Sequence, residues 1–291
     1  MPRVNRAIEL LAQGQPIYYE SVTERSYEGG KAAANTWADY INYEMEHSPF
    51  DLTALGGFMR GLVDGGPTPS GHRTPTVIVS VPTDGSTEEV VRANAWMFKQ
   101  ALATGIHGIL LCHAETPAAI KTFVEACRYP FQRTGVGAGL DEGRRGSGGQ
   151  AHAAHIWGLS VDDYLERADV WPLNPNGEIL LGVKFENSRA VANVEQSAKV
   201  PGIGFAEWGP GDNAMALGYP NRHDPPYPDD MWAVRNRVLA ACKAAGLFFL
   251  EQITPEGVVN SIAEGVMIGA GKQARAAAEV GRAHTNRAMP V

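Results

Sequence analysis

The 291-residue chain is 44% hydrophobic and 20% charged, the proportions of a soluble globular protein with room for one large domain or two modest ones. Its net charge of −7, relieved by no basic stripe, argues against a protein that binds a phosphate backbone. The three cysteines, Cys112, Cys127 and Cys242, are odd in number and form no CxxC pair, which speaks against a disulfide framework or a zinc-thiolate site and fits a reducing cytoplasm.

The opening "MPRVNRAIELLAQGQPIYYE" lacks an unbroken apolar run and reads poorly as a signal peptide, and no segment reaches the roughly 18 apolar residues of a membrane helix. Apolar runs of strand length then follow at 17–22, 39–44, 76–81, 107–113, 178–185, 203–208, 247–251 and 266–269. Helical spacing falls between them, at 87–103, 116–128, 186–198, 231–245, 254–264 and 270–286. In 87–103, Val91, Ala95, Phe98 and Leu102 make one apolar stripe. Two stretches break the alternation: a Gly/Pro-rich loop at 63–75, and residues 129–160, which are glycine-rich, too long for a plain connector and expected either to lie over a site or to be a surface excursion.

Eight strands alternating with helices is the count of an α/β fold of the (β/α)8 TIM-barrel type, a single domain over 1–291. An open doubly wound sheet is the rival, because buried parallel strands look alike in both. That rival wants a phosphate-binding glycine loop after its first strand, and "TERSYEGG" is not one.

Barrel enzymes carry their chemistry at the C-terminal ends of the strands. There the chain sets Glu186, after the fifth strand in "KFENSRA", and Asp212, after the sixth in "WGPGDNAMALGY". Two carboxylates from adjacent staves repel unless a proton or a cation sits between them, and a hard divalent ion takes oxygen ligands. The alternative leaves Glu186 a helix-start acid and Asp212 a cap in a Pro-Gly-Asp turn. The second strand ends in "NYEMEHSPFD", delivering Glu44, Glu46 and His47 together, and a histidine flanked by acids can serve as a general base.

These stretches, with "ACRYPFQRTGVGAG" and the closing "EGVMIGAG", resemble the metal-dependent class II pyruvate aldolases of the HpcH/HpaI family, the 4-hydroxy-2-oxoheptanedioate aldolase type, from about residue 7 to 275. The resemblance implies a phosphoenolpyruvate/pyruvate-type barrel assembled as a homo-oligomer, a hexamer or a dimer of swapped helices, in which the last helix packs on a neighbouring subunit. It implies Glu186 and Asp212 as ligands of Mg2+ or Mn2+, with Co2+ a further candidate, and a 2-oxo acid and an aldehyde as partners. His47 then matches the base that works with water, Glu44 stands where relatives have the assisting aspartate, and Gly209 and Gly211 lie beside the bound carboxylate.

The departures from that pattern raise their own expectations. Ser80 stands where many relatives place an arginine near the end of strand three, and Lys184 where they often place glutamine, so Lys184 is the candidate cation that replaces it. Arg144 and Arg145 of the glycine-rich loop, and His113 at the end of strand four, are further candidates. Trp208 is expected to narrow the pocket, and the spaced pair His152 and His155 is weak ground for a second metal. A hydratase or decarboxylase-like enzyme acting on another, aromatic acid is the alternative activity.

Overall fold

The computed structural model describes residues 2–291. Its strands are β1 (Ile17–Ser21), β2 (Tyr40–Glu44), β3 (Thr76–Asp84), β4 (Gly108–Cys112), β5 (Val170–Trp171), β6 (Ile179–Lys184), β7 (Phe205–Glu207), β8 (Phe248–Gln252) and β9 (Val266–Ala270). They pair in parallel in the order β4-β3-β2-β1-β9-β8-β7-β6-β5, and a further β4–β6 pairing closes the sheet into a (β/α)8 barrel. Every predicted strand is one of the eight staves. The ninth, β5, is two residues flanking the start of β6, too short to leave a periodic signal.

One side chain from each stave fills the barrel: Ile17, Tyr40, Ile78, Leu110, Leu180, Phe205, Leu250 and Ile268. Phe205 lies across the axis where Gly182 has no side chain; a Cβ there would come within 2.2 Å of the ring. Ala7, Ile8, Leu10 and Leu11 of the helix Arg6–Ala12 belong to the same cluster, so this helix plugs the N-terminal end of the barrel and the opposite end stays open.

The predicted helices are present with shifted ends, and the segment 186–198 divides into Ser188–Ala192 and Val194–Ser197. The stripe Val91, Ala95, Phe98 and Leu102 is buried as predicted. The helix Leu52–Gly65 escapes periodicity because glycines stud it, and glycine disfavours helix. Those glycines buy contact with the helix Tyr27–Ala33: a Cβ on Gly61 would sit 2.0 Å from the Tyr27 carbonyl oxygen, and one on Gly30 2.1 Å from that of Phe58. The glycine-rich segment 129–160 is partly helical, with Gln150–Trp157 ahead of a further helix Val161–Arg167.

The closing helix Ala274–His284 lies against β1, where its small face of Ala274, Ala277, Ala278 and Gly281 lets it approach Tyr18. Beyond it, Arg287 forks onto the buried Asp39 at 2.6 and 2.8 Å, Arg282 lies 3.2 Å from the same carboxylate, and the Tyr18 amide donates to it at 2.9 Å. Removing the shared acid strands buried guanidinium groups, so Asp39→Ala is expected to cost about 3–5 kcal/mol of unfolding free energy in urea titrations. A loss near zero would show that the clasp adds nothing.

Candidate active site

A cavity of about 740 Å3 opens where the C-terminal strand ends converge, lined among others by His47, Lys184, Glu186, Glu207, Gly209 and Asp212. Glu186 follows β6 and is 1% exposed. Its Oε1 accepts the His113 amide hydrogen at 2.7 Å, while Oε2 is buried with no hydrogen-bond partner among the described residues. Burial pushes this carboxyl up to about 8 against the downward pull of Lys184. His113 reaches it from a left-handed backbone conformation, φ 46°, rare for a residue with a Cβ and concentrated at functional sites.

The turn after β7 supplies the second acid. Gly209 is left-handed at φ 54°, and a Cβ there would lie 2.4 Å from Glu186 Cβ and 2.6 Å from Oε2, so only glycine lets the two loops meet. Asp212 sits in the first turn of the helix Pro210–Ala216, and Asn213 ties the two strand ends by donating to the Phe185 and Trp208 carbonyls. Glu186, Asp212 and His113 each present a ligand atom within 4.8 Å of the others. A buried carboxylate with one oxygen free of hydrogen bonds, a second carboxylate and an imidazole nearby make a donor set that a hard divalent ion takes, and such an ion offsets the burial penalty on Glu186. The residues present fit a divalent cation.

Lys184 ends β6, two residues on from Gly182, and so points inward. Its Nζ lies 2.8 Å from Glu46 Oε2 and 3.7 Å from Glu186 Oε2. Burial alone would depress this amine, but Cys112, Glu207, Glu186 and Glu46 around it hold it well above the usual lysine range. Glu46 also accepts from the Cys112 thiol at 2.8 Å; burial would raise its carboxyl, and Lys184, Cys112 and His47 bring it below the ordinary range. His47 lines the cavity with Nδ1 3.6 Å from Glu44 Oε1 and 3.9 Å from Glu46 Oε2, which places the imidazole between the two acids as the sequence pattern required. Glu44 itself is shared with Arg25 at 3.6 Å.

Several expectations are corrected. Arg145 is 3% exposed, its guanidinium 4.5 Å from the centre of the Tyr129 ring and hydrogen-bonded to Tyr164, and Arg144 pairs with Glu125, so neither lines the cavity. Their loop follows the helix Pro117–Cys127 away from the mouth and fastens to the segment before β5: Arg128 grips Asp169 at 2.6 and 3.0 Å, and Gln132 donates to the Ala168 carbonyl. His152 and His155, on the helix Gln150–Trp157, join no metal-ready cluster among the described residues. Trp208 is fully buried and faces Tyr227, because successive strand residues alternate and its neighbour Glu207 takes the inward position. Ser80 is 2% exposed and lies outside the cavity lining, its hydroxyl without a partner among the described residues. Gly209 and Gly211 do line the cavity.

Glu207 was missed, although alternation from the inward Phe205 would have found it; burial raises its carboxyl against the pull of Lys184. Gln252, Lys272 and Arg275 at the rim carried no motif.

A barrel with paired acids, a flanked histidine and a buried lysine at its open end has the layout of a (β/α)8 enzyme, which carries its chemistry at that end. The HpcH/HpaI aldolase/citrate lyase family model matches residues 76–277, and the chain belongs to that family. It is a carbon–carbon lyase of the aldolase type. It is 27% identical to a hydroxypyruvate/pyruvate aldolase of Paraburkholderia phytofirmans, over 81% of this chain and 78% of the relative. It is 30% identical to a 4-hydroxy-2-oxovalerate aldolase of Rhodococcus jostii, over 75% of this chain and 70% of the relative. An HpcH/HpaI aldolase/citrate lyase family protein from Burkholderia cenocepacia shares the fold with a TM-score of 0.71 at 24% identity, over 96% of this chain and 97% of that one. Among the described residues, no helix is long and apolar enough to cross a membrane.

Proposed function

We propose that the chain cleaves and forms 4-hydroxy-2-oxo acids, joining a pyruvate-type 2-oxo acid to an aldehyde, with a divalent cation held by Glu186 and Asp212. The observation that carries this reading is the buried Glu186 carboxylate, its Oε2 without a hydrogen-bond partner among the described residues, presenting a ligand atom within 4.8 Å of one on Asp212. Mg2+, Mn2+ or Co2+ bound there supplies Lewis-acid stabilisation of negative charge on the substrate's keto oxygen. The backbone amides of Gly209 and Gly211 bind and orient the substrate carboxylate beside it. Lys184, charged and nearly enclosed, adds an electrostatic contact to the same developing charge, in place of the strand-three arginine. His47, oriented by Glu44 and Glu46, takes the proton of the C4 hydroxyl through a water molecule as the C3–C4 bond breaks, and returns it in synthesis.

The names of the relatives support pyruvate or hydroxypyruvate as the nucleophile and a short aldehyde as the other half. Cys112, Cys127 and Cys242 are buried and unbridged, in keeping with a reducing cytoplasm. The test is aldol addition followed by mass spectrometry after chelation and again after restoring each ion. Product should vanish with chelator and return with at least one metal. Undiminished product in chelator would remove the cation from the reaction, and release of carbon dioxide without aldol product would move the enzyme to decarboxylation.

A further inference from the structure

A second cavity, of about 600 Å3, adjoins the first and shares Gln252, Gly271 and Lys272 with it. It lies between the helices Asp229–Ala245 and Val258–Glu264, and nothing in the chemistry above uses it. One wall is aromatic. Trp232 leaves 40% of its surface exposed, and its ring meets the edge of Tyr227 at 5.3 Å; Tyr227 in turn meets the buried Trp208 at 5.2 Å, directly behind the Gly209–Asp212 turn. The buried end of this aromatic series packs behind that turn, and its exposed end lines the second cavity.

The charges there disfavour an anionic occupant. Asp224, Glu251 and Glu264 face Arg235 and Lys272, so acids outnumber bases. Both bases are engaged: Arg235 forks onto Glu251 at 2.8 and 2.6 Å and reaches Glu264 at 2.7 Å, and Lys272 holds Asp224 at 3.1 Å. A carboxylate or phosphate would meet an excess of acids and cations already paired with them, whereas an uncharged ring finds the Trp232 face, Ile253 and the neutral hydrogen-bonding groups of Asn260 and Ser261. Gly271 stands where the cavities adjoin at φ 102°, a conformation side chains rarely adopt, so the shared wall stays low.

We propose that this second cavity binds an uncharged aromatic ring carried by the aldehyde, so that the substrates include 4-hydroxy-2-oxo acids with an aryl group beyond C4. The proposal rests on the aldolase reading for the reacting end. In synthesis, C3 of the 2-oxo acid loses a proton and forms the bond to the aldehyde carbon, and the aldehyde oxygen gains a proton to become the C4 hydroxyl, with no change of oxidation state overall.

The experiment has two arms, on wild type, Trp232→Ala and Ser261→Phe, the last filling the cavity without touching the indole. In the first, benzyl alcohol is titrated into metal-free protein and followed by saturation-transfer NMR; both variants should weaken binding about fivefold or more. In the second, the metal-loaded enzyme adds pyruvate to benzaldehyde or to glycolaldehyde; the ratio of kcat/KM for benzaldehyde over glycolaldehyde should fall about tenfold in both variants. Unchanged probe binding, or an unchanged ratio, overturns the ring site. Weakened probe binding with no turnover of either aldehyde by wild type supports the ring site and counts against the aldolase reading alone.

Discussion

Glu186→Ala and Asp212→Ala are each expected to lower metal-dependent turnover by about 10³-fold or more, the scale of removing the main stabiliser of transition-state charge. The fold should survive. Glu186 is buried with its carboxyl pushed up to about 8, so ionising it near neutral pH costs the metal-free protein stability, and removing it should leave the metal-free melting temperature equal or higher. The sign follows from linkage: a carboxyl whose folded pKa is raised favours folding only while protonated, and that advantage is lost as pH rises toward 8. Wild type should gain thermal stability on adding Mn2+, by about 2.7 kcal/mol at a hundred times the dissociation constant, and both variants should lose that gain. A variant that keeps near-normal activity in chelated buffer, or the full metal-induced shift in melting, would break the assignment of the two acids.

Lys184→Met carries the second large effect. The lysine side chain is only 15% exposed and is the cation common to Glu46, Glu186 and Glu207. Methionine keeps much of the volume and removes the charge, so kcat/KM should fall about 10²-fold, the cost of one charge-stabilising donor in an enclosed site. Arg144→Ala, which removes a guanidinium paired with Glu125 away from the cavity, should leave kcat/KM within about twofold. Steady-state kinetics on both variants decide the matter. Equal, small effects would mean that Lys184 does not replace the missing arginine.

Much of the site was legible before any coordinates because barrel chemistry obeys position: an acid just past an apolar run, on a chain with eight such runs, has one place to be. Glu186, Asp212 and His47 were singled out in this way, and the structure brings them to one opening. Arg144, Arg145 and Trp208 were misplaced for two different physical reasons. A glycine-rich loop can turn toward either end of a barrel, and only the Arg128–Asp169 pair and the stacking of Arg145 on Tyr129 send this one away from the mouth. Trp208 was assigned by its neighbourhood to "GPGD" instead of by strand alternation, which puts Glu207 inside and the indole out.

The eight staves and the alternating inward and outward faces of their residues are properties of local periodicity, and the sequence alone determines them for this protein. Which charged groups share the mouth is not local. Lys184 meets Glu46 across 138 positions of sequence separation, and the second cavity brings Trp232 beside Gln252 and Gly271. Those meetings follow from closure of the barrel and from the packing of helices on it, where low dielectric and excluded volume act between segments that no periodicity in the chain connects.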